Sequence, residues 1–166
     1  MITLAILGIF AAIAVPSFTN FINNNRLQSV TNELSSLLQY ARSIAAQNNS
    51  PHSVCLSSGT WTVIKGTDCT STSLRELISP IDVNIVATAS ALPMTFNANG
   101  TTSNSPAFVL CKASDAANGY KISVSNSGRV HAWSKGQDEN GTALTSCTPS
   151  WAWIWNVRAA SVWLKF

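Results

Sequence analysis

The stretch richest in usable chemistry is Gly128-Arg129-Val130-His131, with Lys121 before it and Lys135 after it. In an extended strand successive side chains alternate, so Arg129 and His131 share one face and Val130 takes the other. Lys121 and Lys135 join that face if the strand register brings them close. Cations so arranged make salt-sensitive, sequence-independent contacts with phosphate oxygens. A histidine is neutral at pH 7 and adds charge only as the pH falls, so such binding should strengthen in that direction. The competing reading makes Gly128 a hairpin glycine and Arg129 a solvated strand residue.

Other chemistries find little footing. His52 and His131 lie far apart in the chain, in strand-like segments. No serine occupies a strand-to-helix elbow, no pair stands out among the seven acids, and no glycine-rich phosphate loop is present. No enzymatic activity and no cofactor are expected. The four cysteines, Cys55, Cys69, Cys111 and Cys147, form no Cys-x-x-Cys pair, and no histidine stands at ligand spacing from them, which argues against zinc.

An even cysteine count behind an apolar N-terminus reads instead as two disulfides in an oxidising compartment. Three pairings are open. Cys55–Cys69 and Cys111–Cys147 are favoured because each closes a local, turn-rich loop, worth roughly 3 and roughly 4 kcal/mol by chain entropy. Charged residues are only 10% of the chain, and the net charge is +3. From Cys111 onward Lys112, Lys121, Arg129, Lys135, Arg158 and Lys165 face only Asp115, Asp138 and Glu139, so the whole excess lies there.

Positioning those residues falls to a long helix and a set of strands. Leu27, Val30, Leu34, Leu37, Leu38, Ala41, Ile44 and Ala45 recur at helical spacing. Arg26, Gln28, Asn32, Glu33, Gln39, Arg42 and Gln47 take the opposite face. No breaker stands between Pro16 and Asn48, so one helix of about 70 Å can run from Met1 to Asn48. Pro16 removes one backbone bond and should kink or loosen it. The opening residues to Val15 are apolar all round. That run is shorter than the ~20 residues of a full membrane span, and it lacks the basic start of a secretory signal.

Beyond the helix the periodicity changes to two. His52–Ser57 and Thr60–Lys65 read as a hairpin turning at Ser58-Gly59. Leu74–Ile78 reads as a short turn or helical piece. Val83–Ala87 and Met94–Asn97 read as strands. Phe108–Lys112, Tyr120–Ser125 and Arg129–Ser134 read as three consecutive antiparallel strands, with turns at Asn118-Gly119 and Ser127-Gly128. The expected class is α+β, a long N-terminal helix packed on antiparallel β-sheet.

The opening segment from Met1 to Phe18 resembles the N-terminal helix of type IV pilins and type II secretion pseudopilins. In that family a basic leader, a processing site and a glutamate come first, so the helix is read as lacking its first turns. Further on, Phe96-Asn97-Ala98-Asn99-Gly100, Phe108-Val109-Leu110-Cys111 and Val124-Ser125-Asn126-Ser127-Gly128-Arg129-Val130 resemble the GspH/FimT branch of minor pilins and pseudopilins. Cys55 and Cys69 around Trp61 also fit that branch. The likeness covers about residues 1–148.

The resemblance implies a pilin-like fold and a structural subunit of a pilus or secretion filament in a Gram-negative bacterium. It implies a single-pass inner-membrane anchor before assembly, a periplasmic head, and the family's N-terminal methylation. Ile2, Leu4, Ile6, Leu7, Ile9, Phe10 and Pro16 would lie in the helix that packs against other pilins. Some FimT-like proteins serving natural transformation bind DNA through a C-terminal Gly-Arg-x-Arg element. Arg129 matches its first arginine and His131 replaces the second, so DNA is the alternative partner.

The expected organisation is a hydrophobic membrane or filament helix at 1–22, a globular domain at 23–148 and a tryptophan-rich tail at 149–166. The tail holds Trp151, Trp153, Trp155 and Trp163. It reads equally as an added strand or membrane-facing segment, a subunit contact, or a translated frameshift.

Overall fold

A computed structural model describes the backbone of residues 2–88 and 92–149, with side chains from residue 18 onward except residue 20. The tryptophan-rich tail lies outside the described residues. Helix α1 spans Ile2–Gln47 and runs through Pro16. Its apolar stripe is buried at Leu27, Val30, Leu34, Leu37, Leu38, Ala41 and Ala45, with Ile44 at the margin. Thr31 is also buried, and its hydroxyl donates back to the Leu27 carbonyl at 2.8 Å. That local bond satisfies the buried hydroxyl within the helix itself.

Eight strands follow: β1 His52–Ser57, β2 Thr60–Lys65, β3 Ser73–Ile78, β4 Val83–Ala87, β5 Met94–Phe96, β6 Ala107–Lys112, β7 Tyr120–Val124 and β8 Val130–Ala132. They form two four-stranded antiparallel sheets, ordered β3-β2-β1-β5 and β4-β6-β7-β8. Both sheets pack against α1. The shared core holds Trp61, Phe96, Phe108, Leu110 and Ile122 around the helix stripe. Trp61 from one sheet meets Phe108 from the other edge-on, with centroids 5.5 Å apart. The Trp61 indole N–H donates to Ser79 Oγ at 3.2 Å, so the large ring buries without an unpaired donor.

The segment Leu74–Ile78 is a strand, not a turn or helical piece. Leu74, Leu77 and Ile78 are spaced three and one apart, which suits a helical turn as well as an extended edge. Pairing decides the matter. β3 lies against β2 with Trp61 opposite Leu77 and Thr62 opposite Glu76. The Cys55–Cys69 disulfide ties the connection between β2 and β3 back to β1. β8 is shorter than the expected Arg129–Ser134, because Arg129 belongs to the preceding turn.

Candidate interaction surface on the β7–β8 hairpin

The hairpin that carries Arg129 is built by local bonds. Gly128 N–H donates to the Ser125 carbonyl at 2.7 Å, and Ser125 N–H to the Arg129 carbonyl at 3.0 Å. Gly128 takes φ +75°, the left-handed region that favours glycine. Across β7 and β8, Ser123 faces His131 and Val124 faces Val130. Val124 is buried in the core, so Ser123 and His131 point to the outer surface of the sheet.

Arg129 is exposed, and among the described residues no carboxylate pairs with its guanidinium. His131 is half-buried and meets Trp133 edge-on at 4.2 Å. The Trp133 indole N–H donates to Ser123 Oγ at 2.9 Å. His131 and Trp133, two residues apart, bring their rings together on the outer surface of the sheet, and the exposed Arg129 precedes them in the chain. A cation, an imidazole and an indole in close succession offer charge for a phosphate and a flat face for a base.

The two lysines are placed differently. Lys121 is buried beneath residues 136–149, which cross the outer face of the β6–β7 pair as a strap, and its ammonium is paired with Glu139. The strap is fastened by the Cys111–Cys147 disulfide, the partner of Cys55–Cys69 in the locally favoured pairing. It is shaped by a turn in which Asp138 Oδ1 accepts from Asn140 N–H at 2.9 Å and Thr142 N–H at 3.0 Å. These bonds, the Asn140 backbone bond first, hold the Asp138 carboxyl below its usual value. Lys135 is exposed and its charge bears on Asp115, which is held low chiefly by the Asn118 amide. The four sequence candidates therefore separate. Arg129 and His131 remain close in the chain on either side of Val130, Lys121 is paired with Glu139, and Lys135 stands exposed.

Two residues outside the sequence candidates bear on this hairpin. Trp133 sits at the next alternate position after His131, a signal the strand period already carries. Arg42 gave no such signal. Its Nε donates to the Gly100 carbonyl and its Nη2 to the Ser127 carbonyl, both at 3.2 Å, across 58 and 85 residues of chain. Thr102 N–H also donates to the Asn126 carbonyl at 3.0 Å. The arginine turn is thus tied to the helix and to the loop after β5.

At the other end of the head, Asp82 Oδ2 receives Lys112 at 2.8 Å and Arg26 of α1 at 3.2 Å. Lys112 also donates to Asn23 Oδ1 at 2.7 Å. The Lys112 hydrogen bond is the main cause of a lowered Asp82 pKa. Among the described residues no cluster of His, Cys, Asp and Glu could hold a metal ion, and no helix is long and apolar enough to cross a membrane.

One long helix whose stripe from Leu27 to Ala45 is shared by two antiparallel sheets defines a pilin-like α+β protein. A sequence profile of the family described as type II transport protein GspH matches residues 30–128. The chain belongs to this GspH family. It is similar to the type IV minor pilin FimU of Pseudomonas aeruginosa, with 27% identity and TM-score 0.62, over 76% of this chain and 98% of that one. A second crystal form of FimU gives 28% identity and TM-score 0.57, over 73% and 99%. The minor pseudopilin EpsH of the Vibrio cholerae type 2 secretion system shares the fold at 7% identity and TM-score 0.53, over 66% and 97%. No curated protein matches the chain.

Proposed function

We propose that this chain is a structural subunit, a minor pilin or pseudopilin, of a type IV pilus or type II secretion filament. The observation that carries the reading is the GspH family match together with a long helix whose first residues, to Val15, are apolar. Phe18 and Phe21 lie side by side on that helix, tilted with ring centroids 6.5 Å apart, and are 65% and 61% exposed, which suits contact with neighbouring helices. Before assembly the apolar segment, with Ile2, Leu4, Ile6, Leu7, Ile9 and Phe10, holds the subunit in the inner membrane and the head faces the periplasm. Two disulfides fit that compartment.

The test is a photo-crosslinking residue placed at Phe21 in the native host. Adducts to other pilin-family subunits are the expected result. Adducts to lipid alone, in cells that assemble filaments, would overturn the filament role.

A second reading is favoured by one observation, the exposed Arg129, without a carboxylate partner among the described residues, just before His131 and Trp133 in the chain. In it the subunit captures DNA for uptake. Oxidised protein should retard DNA in a gel at low salt, lose it at high salt, and lose it on Arg129→Ala. Retardation unchanged by Arg129→Ala would remove the reading and leave the filament role intact.

A further inference from the structure

Three Asn-Gly pairs occur in the described chain: Asn99-Gly100, Asn118-Gly119 and Asn140-Gly141. Such a pair is chemically unstable when the side chain is free. The glycine nitrogen, unhindered by a Cβ, attacks the asparagine Cγ. The Cγ–Nδ2 bond breaks, the displaced proton leaves with the amine as ammonia, and a five-membered succinimide closes. Water then opens the ring at one carbonyl or the other, giving aspartate or isoaspartate. The reaction needs the asparagine side chain and the following peptide to rotate towards each other.

The fold treats the three pairs unequally. Asn99 Oδ1 accepts from both the Thr101 N–H at 3.1 Å and the Thr101 hydroxyl at 2.7 Å. Gly100 is buried, and Arg42 holds its carbonyl. Asn118 Nδ2 donates to Asp115 Oδ2 at 2.6 Å. Gly119 is buried, and a Cβ there would lie 3.0 Å from Cys111 Sγ. At the third pair both residues are exposed. Among the described residues no partner reaches the Asn140 side-chain amide, and nothing lies within 4 Å of where a Gly141 Cβ would stand.

All three glycine N–H groups bond to a carbonyl three residues back, at 2.8, 3.0 and 3.1 Å in chain order. That bond does not discriminate among them. The side-chain tethers and the burial do.

We infer that Asn140 is a site of spontaneous modification, deamidating to aspartate or isoaspartate in the folded protein while Asn99 and Asn118 are protected. The product adds a carboxylate beside Asp138 and Glu139, in the turn framed by the Gln137–Ala143 bridge. Isoaspartate also reroutes the main chain through the former side chain, inside the strap that shields Lys121.

The experiment ages the full-length oxidised protein at mildly alkaline pH and maps peptides by mass spectrometry. It follows the gain from exchanging NH2 for OH. Conversion at Asn140 is expected to run at least about tenfold faster than at Asn99 or Asn118, because local freedom controls the rate. In denaturant the three rates should converge. Gly141→Ala should suppress conversion at Asn140 without changing the other two. Conversion at Asn99 or Asn118 matching Asn140 in the folded protein would overturn the inference, as would no conversion at Asn140 when the denatured chain converts.

Discussion

Gly128 lies so close to Gly100 that an added Cβ would stand 1.9 Å from the Gly100 carbonyl oxygen and 3.0 Å from Arg42 Nε. The turn bearing Arg129 and the loop after β5 touch backbone to backbone, with Arg42 bridging both. The glycine of the Gly128-Arg129 pair is therefore a packing requirement, whatever the arginine contacts.

Gly128→Ala tests that contact, and Gly141→Ala is its control. Both glycines have φ near +75°, but only Gly128 has a neighbour in the way. The control should lose about 1 kcal/mol, the cost of a side chain in the left-handed region. Gly128→Ala should lose at least about 2 kcal/mol more, since backbone has to move. Urea unfolding of the two variants measures both. Equal losses would show that the loop yields easily.

Arg42→Ala removes two bonds to carbonyls from different parts of the fold. A loss of about 1 kcal/mol per unmade bond is the expected scale. Arg42→Lys should recover little of it, because a single ammonium cannot reproduce the guanidinium fork. Hydrogen exchange at the Thr102 amide should quicken in both variants. Unchanged protection there would mean that the loop and the turn hold each other without the helix.

The Asp82 cluster sets an acid limit. The Asp82 pKa is lowered, first by the Lys112 hydrogen bond, from an ordinary value of 3.8. Its stabilisation is fully present above that value and disappears as the pH falls through the lower folded value. Asp115 and Asp138 shift the same way, through Asn118 and through Asn140 respectively. Melting temperature followed from neutral pH downward should drop below the ordinary aspartate range, and Asp82→Asn should flatten part of the drop. An unchanged profile in that variant would place the acid sensitivity elsewhere.

Lys121 reports the state of the strap. In the oxidised protein its amine should acetylate more slowly than the exposed Lys65 and Lys135. Replacing Cys111 and Cys147 by serine together removes a link of sequence separation 36, worth about 4 kcal/mol in the chain-entropy picture. Lys121 labelling should then rise towards that of Lys65. Persistent protection would show that the Glu139 pair and the turn hold the strap alone.

Much of this fold was legible in the sequence because its signals are local and periodic. The helix stripe from Leu27 to Ala45 and the strands at His52–Ser57, Thr60–Lys65 and Val83–Ala87 stand where hydrophobic spacing places them. Leu74–Ile78 was not legible, because an edge strand buries little and its alternation is weak. His131 pairs with Ser123 on the outer face of the sheet, while Arg129 precedes the strand. The fate of Lys121 depends on a strap whose course is fixed by a distant cysteine and a turn acid. Arg42 looked like a solvated helix residue because its partners are backbone carbonyls, which carry no residue identity.

The foot of the head has a mechanical consequence. Arg26 and Asn23 on α1 engage Asp82 and Lys112, which flank β4 and end β6. On the proposed filament role, tension along the helix would enter the head first through these charged groups and the buried leucines beyond them. That load runs along the helix–sheet contact, so many side chains share it in shear and no hairpin is unzipped strand by strand. Neither disulfide lies on that path, since each closes a loop on the outer side of a sheet. The cross-links would then guard the surface of the head, while the helix seam carries the pull.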